Sequence, residues 1–123
     1  NENDIVKYFE TNTFMTQRLI KLIHPLLKKQ KDSIAVFISD NTKKKNKKFL
    51  GIHNAIQAAN KEIVMSYSEE TLRIGPKVLL FEPLPMPTKT RSIMFPGENK
   101  KKLSSCKEEA NKLIKLLIDN IKN

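Results

Sequence analysis

The chain has 123 residues, 39% of them apolar and 29% charged, with a formal net charge of +10. This length holds one hydrophobic core, and the apolar share is too high for a disordered tail, so residues 1–123 are expected to form a single basic domain with charged loops. No apolar run reaches the length of a membrane span and no signal-peptide pattern opens the chain; its start at Asn1 rather than Met leads us to expect a processed form or a piece excised from a longer chain.

A surplus of 23 basic over 13 acidic residues attracts polyanions: nucleic acid, acidic lipid or acidic protein. Nearly all of the basic residues are lysine; only Arg18, Arg73 and Arg91 are arginine. Lysine is a flexible point charge suited to phosphates, whereas bidentate reading of base edges favours arginine, so backbone contact is expected ahead of sequence reading. An AT-rich coding bias would also raise the lysine content. Cys106 is the only cysteine. It forms no internal disulfide, which fits an intracellular setting, cytoplasmic or nuclear. Cys106, His24 and His53 show no metal-ligand spacing, and no cofactor motif is present; Gly51, Gly75 and Gly97 are too scattered for a phosphate-cradling loop.

In chain order, Asn3 or Asp4 is placed to cap a short helical turn through Ile5, Val6 and Phe9, interrupted by Thr11, Asn12 and Thr13. A stronger helix follows, with Met15, Leu19, Leu22, Ile23 and Leu26 as its core-facing stripe and a kink or break expected at His24, before Pro25. Residues 33–39 contain the continuous apolar run Ile34-Ala35-Val36-Phe37-Ile38 of a strand buried on both faces. Lys43, Lys44, Lys45, Lys47 and Lys48 crowd the loop after it. Phe49, Ile52, Ala55, Ile56 and Ala59 then mark a short helix ending at Asn60, and residues 63–67 read as a second strand, completing a βαβ unit with parallel strands.

Gly75-Pro76 punctuates the chain. Residues 77–82 read as a third strand, Pro83-Leu84-Pro85-Met86-Pro87 as an extended polyproline connection, and residues 90–95 as a short edge strand. Lys100, Lys101 and Lys102 form a second basic cluster. The final helix is signposted by a capping box of Ser105 and Glu108, with Ala110, Leu113, Ile114, Leu117 and Ile121 as its buried stripe. The expected fold is therefore α/β: a three- to four-stranded mixed sheet containing one βαβ unit, covered by N- and C-terminal helices.

One local resemblance adds to this. Residues 52–67, Ile52-His53-Asn54-Ala55-Ile56 through Ile63-Val64-Met65-Ser66-Tyr67, resemble a helix–strand unit of phospholipase-D-like domains over about one eighth of the chain. That family's activity rests on a His-x-Lys signature, and neither His24 nor His53 is followed by Lys two positions on. The resemblance therefore implies a partial or catalytically inactive unit.

Ligands of open α/β sheets collect beyond the carboxyl ends of parallel strands. On the expected fold that rim carries Ser39, Asp40 and the lysine loop from the first strand, and Ser66, Tyr67, Ser68, Glu69 and Glu70 from the second. Lysines meeting hydroxyls is the composition of a phosphate-binding site. The leading expectation is a non-enzymatic nucleic-acid-binding module, DNA or RNA, using Lys43, Lys44, Lys45, Lys47 and Lys48, with Lys100, Lys101 and Lys102 secondary. The alternatives are a protein-interaction module of a larger assembly, and a Mg²⁺-dependent phosphoryl-transfer or nuclease enzyme using the strand-end carboxylates Asp40, Glu69, Glu70 and Glu82. His24 and His53 read as helix-surface or core-edge residues, and Cys106 as structural.

Overall fold

The computed structural model describes residues 1–40 and 48–121. Helix accounts for 63% of these residues, and their only sheet has two parallel strands. This overturns the expected three- to four-stranded mixed sheet. The chain divides into two compact units, Asn1–Phe81 and Glu82–Asn123.

The first unit opens with helix α1 (Glu2–Phe9), a π-helical turn (Glu10–Phe14) and helix α2 (Met15–Leu27) in unbroken succession. The cap of α1 is Asn1, whose side chain accepts from the Asp4 N–H in a reciprocal capping box, rather than Asn3 or Asp4 as the sequence suggested. Thr11, Asn12 and Thr13 do not end the helix. Thr11 Oγ1 donates to the Lys7 carbonyl and Asn12 Nδ2 to the Tyr8 carbonyl, so the side chains serve backbone acceptors where the helix widens into the π turn. Helix α2 also continues through Pro25, because the ladder resumes with Lys28 N–H donating to His24 O at 2.9 Å.

Strand β1 (Ile34–Ile38) pairs in parallel with β2 (Lys77–Phe81), in a register running from Ile34 opposite Lys77 to Ile38 opposite Phe81. Lys77 N–H to Ser33 O and Ser39 N–H to Phe81 O extend the pairing at both ends. Between the strands runs helix α3 (Gly51–Thr71). A parallel pair needs a crossover, and a 21-residue helix is ample for one.

The expected strand at 63–67 lies inside α3, and with it goes the helix–strand division on which the local resemblance was drawn. The β-branched residues there are spaced for a helix. Ile56, Val64, Tyr67 and Thr71 are buried along one face of α3, and Asn60 falls on the same row without ending it. No glycine or proline intervenes until Gly75-Pro76, where the turn is built. A Cβ on Gly75 would lie 2.8 Å from the Thr71 Cβ, so the chain can pass the end of α3 this closely only without a side chain. Ile20, Ala35, Ile56, Val64 and Tyr67 form the buried apolar core.

The stripe of α2 expected to face the core faces outward instead. Ile20 is buried and Ile23, His24 and Leu27 are half-buried, while Met15, Leu19, Leu22 and Leu26 are exposed, Leu22 at 72%. This helix carries two apolar rows, and Tyr67 selects between them. Its hydroxyl meets His24 Nδ1 at 3.0 Å and the two rings pack edge-on, which fixes the inward face.

In the second unit, residues 82–88 form neither helix nor strand and are followed by helix α4 (Lys89–Met94), a 3₁₀ turn (Lys100–Lys102) and helix α5 (Cys106–Ile121). The expected edge strand at 90–95 is thus helical. Thr88 caps α4, its side chain accepting from Arg91 N–H, and the preceding Pro87 suits a chain entering a helix; Arg91 then closes a bidentate pair with Glu98 at 2.6 Å on each arm. The Ser105–Glu108 box starts α5 as expected, with Glu108 N–H donating to Ser105 Oγ and Ser105 N–H to Glu108 Oε2.

The covered face of α5 is offset from the expected stripe. Leu113, Leu116 and Leu117 are half-buried, whereas Ala110, Ile114, Ile118 and Ile121 are exposed. The offset follows from Glu109, only 3% exposed, which accepts from Lys112 Nζ, Ser104 Oγ and the Leu84 backbone N–H. One carboxylate thereby ties the proline-rich segment to the first turn of α5. The Lys112 ammonium, then Ser104 and the Leu84 N–H, pull its pKa from 4.5 down to about 2. A group whose folded pKa is depressed stabilises above its unfolded value, and that contribution is lost as pH falls through the folded one. The stabilisation from Glu109 should therefore be complete above about pH 4.5 and disappear towards pH 2. In thermal melts, Glu109→Gln should lie below the wild type at neutral pH, and the gap should close across this acidic window.

Candidate functional site

The carboxyl end of β1 is the site that the topology singles out. Ser39, buried there, continues the ladder through its N–H to Phe81 O, and its Oγ donates to the Asp40 carbonyl. Asp40 turns the chain out of the sheet. Its N–H donates to Gln57 Oε1 at 3.3 Å, and its carboxylate Oδ2 lies 3.1 Å from His53 Nε2. Gln57 and His53 stand one helical turn apart near the start of α3, so they meet the same strand end. On its other side, His53 Nδ1 is 3.1 Å from the Tyr8 hydroxyl of α1. The His53 side chain is 19% exposed and that of Asp40 62%, placing this chain of hydrogen bonds at the rim with its carboxylate open to water.

Of the lysines expected to bind phosphate, Lys43, Lys44, Lys45 and Lys47 lie outside the described residues. Lys48 is exposed in the turn leading into α3. Phe49 follows it, fully exposed and with a φ of 63°, the left-handed region that a bulky side chain rarely occupies. Leu50 then precedes α3 without any side-chain cap. Lys100, Lys101 and Lys102 are exposed along the 3₁₀ turn of the second unit, where Asn99 Oδ1 accepts from the Lys101 N–H.

Of the four expected strand-end carboxylates, Asp40 and Glu82 lie just beyond a strand and Glu69 and Glu70 do not. Glu69 and Glu70 belong to the last turn of α3, whereas Asp40 faces its first turns at His53. Sixteen residues of helix separate Glu69 from His53, about 24 Å at 1.5 Å per residue. Ser66, Tyr67 and Ser68 are likewise in α3 and leave the strand rim. Of these, Tyr67 is a core residue; burial, with Glu70 nearby, pushes its phenol pKa up. Cys106 is exposed at the start of α5.

Sequence reasoning found Asp40 by its place after β1, and missed Tyr8, His53 and Gln57 as its company. Only Gln57 and His53 left a usable signal, their shared face at the amino end of a helix following a strand.

Fold and site together define, among the described residues, a helix-rich α/β protein with a two-stranded parallel sheet. No match to a family model, a curated protein or a solved structure was found for this chain. Among the described residues no helix is long and apolar enough to cross a membrane.

Proposed function

We propose that this protein is a nucleic-acid-binding module that contacts the phosphate backbone through the loop between β1 and α3. Lys43, Lys44, Lys45, Lys47 and Lys48 are the main contacts, and Lys100, Lys101 and Lys102 are secondary. The observation that supports this reading is connectivity. The lysine-rich segment follows a parallel strand in sequence and precedes the crossover helix, and α/β sheets collect their ligands beyond the carboxyl ends of such strands. A net charge of +10 supplies the long-range attraction, and binding of this kind needs no catalytic group. A cytoplasmic or nuclear location would suit it. The test is an anisotropy titration against duplex DNA over a salt series. Five phosphates neutralised give a log–log slope of about −4 to −5, at about −0.9 each. A slope near zero would remove the reading.

A second reading, a protein-interaction module, has an observation of its own. Met15, Leu19, Leu22 and Leu26 form an exposed apolar row on α2 with 4-3-4 spacing, the spacing by which one helix receives another. Sedimentation velocity should then show self-association or a co-purified partner, either one lost in Leu22→Glu. A monomer throughout leaves the nucleic-acid reading alone.

A further inference from the structure

Tyr8, His53 and Asp40 come from α1, α3 and the end of β1, and meet in one hydrogen-bonded chain with both links at 3.1 Å. The direction of this chain follows from what each group can do. An ionised carboxylate only accepts, so His53 Nε2 carries the proton that Asp40 receives. The Nδ1 of the neutral ring is then an acceptor, and the Tyr8 hydroxyl is its donor. Carboxylate, imidazole and hydroxyl in this order form the arrangement that lets an imidazole take the proton of an attacking oxygen while the carboxylate holds the ring.

The chain's two tyrosines provide an internal contrast, since both donate or accept at a histidine Nδ1. Tyr67, against His24, is 4% exposed, and among the described residues His24 has no carboxylate behind it. Tyr8 is 38% exposed, has the complete chain behind it, and borders a groove. Ile5 and Ile52 supply apolar walls to that groove, and Glu2 and Asp4 lie along it. The Asp4 carboxylate is already paired with the Asn1 ammonium at 3.0 Å, and the apolar walls receive an uncharged acyl group.

The geometry points to Tyr8 as a nucleophile towards uncharged carboxylic esters, with His53 as its base and Asp40 as the positioning residue. In the first step the Tyr8 oxygen bonds to the ester carbonyl carbon as its proton passes to His53 Nδ1. The ester C–O bond then breaks, and the departing alkoxide leaves as the alcohol by taking that proton from the imidazolium. Water releases the acid from the acyl-tyrosine in the reverse sense, giving one proton to His53, which returns it to the phenolate. This assignment is independent of phosphate binding, because none of its residues is among the proposed lysine contacts.

The test uses the full chain and 4-nitrophenyl butyrate as the probe, with nitrophenol release followed by absorbance and the acylated residue mapped by mass spectrometry. The expected result is a butyryl group on Tyr8 and none on Tyr67. Tyr8→Phe should abolish the adduct. Asp40→Asn and His53→Gln should slow its formation by about 100-fold, the scale of a lost general base. Asp40→Glu should restore part of the rate, which a merely structural tie would not predict. Thermal melts accompany each variant; should His53→Gln fail to fold, Asp40→Asn, at an exposed carboxylate, carries the comparison. An unmodified Tyr8, or variants that lower the melting temperature yet form the adduct at the wild-type rate, would overturn the assignment.

Discussion

Replacing Ile56 by Ala should cost about 2–5 kcal/mol of folding stability, the range for removing a large aliphatic side chain from a closed core. Ile56 is fully buried, at 0% exposure, and begins the buried row of α3. Few other residues share its work. The buried apolar core is completed by Ile20, Ala35, Val64 and Tyr67, and the sheet beneath has two strands only. A two-stranded sheet gains little independent stability, so the fit of α3 over the strands carries the unit. Small domains have about 5–15 kcal/mol in total, and a loss on this scale takes a large fraction of it. A urea titration followed by far-ultraviolet circular dichroism should show the midpoint falling with an unchanged slope. The same truncation at Leu22, which stands 72% exposed on α2, should change stability by less than about 0.5 kcal/mol. Equal effects at the two positions would contradict the orientation of both helices.

The second large effect is expected at the strand-rim loop. With a slope near −4.5, a fourfold rise in salt from 50 to 200 mM weakens binding about 500-fold. Replacing Lys43, Lys44, Lys45, Lys47 and Lys48 together by Ala should remove most of this dependence along with most of the affinity at low salt. Replacing Lys100, Lys101 and Lys102 should have the smaller effect, because they are fewer and belong to a 3₁₀ turn that follows no strand in the chain. Lysine binds phosphate as a point charge, so the loss should be similar on duplexes of different sequence. The loop variant should also melt at the wild-type temperature, since Lys48, the described member of the set, is exposed in a turn. Undiminished affinity after the fivefold replacement would sink the role of the loop.

Both strands among the described residues were legible in the sequence. The strands Ile34–Ile38 and Lys77–Phe81 carry continuous apolar runs at 34–38 and 78–81, ended by turn-forming or polar residues, although the expected burial on both faces is not met: most of these side chains are half-buried and Ile38 is 67% exposed. The capping box at Ser105 was legible for the same local reason. The misreadings arose where a local signal competes with a longer one. Ile63-Val64-Met65-Ser66-Tyr67 is as good a strand as any by composition, but the row through Ile56, Val64, Tyr67 and Thr71 has helical spacing and spans four turns. Thr90 to Phe95 looked like an edge strand until the cap at Thr88 is given its weight. On α2 and α5 the period is correct and the facing side is not. Periodicity reveals an apolar row; which of two rows turns inward depends on partners such as Tyr67 and Glu109, distant from the row in sequence or polar in kind. The Tyr8–His53–Asp40 chain was out of reach for the same reason. Its members are separated by 45 and 13 positions, and no local pattern joins them.

The π turn at Glu10–Phe14 sets the rotational phase between the two helices it connects. Each residue of an α-helix advances the direction of the side chains by about 100°. The wider turn lets α2 present His24 to Tyr67 while α1 presents Tyr8 to His53, near the opposite end of the same long helix. Because a π turn holds one residue more than an α turn, deleting one residue there restores regular α-helix and nearly keeps the phase of α1, whereas deleting one from the α-helical stretch after it would swing the whole of α1 by about that angle. Tyr8 would then point away from His53, although no residue of the rim had been altered. The helix is thus phased by residue count, and its length, more than its sequence, is what an insertion or deletion in this region would disturb.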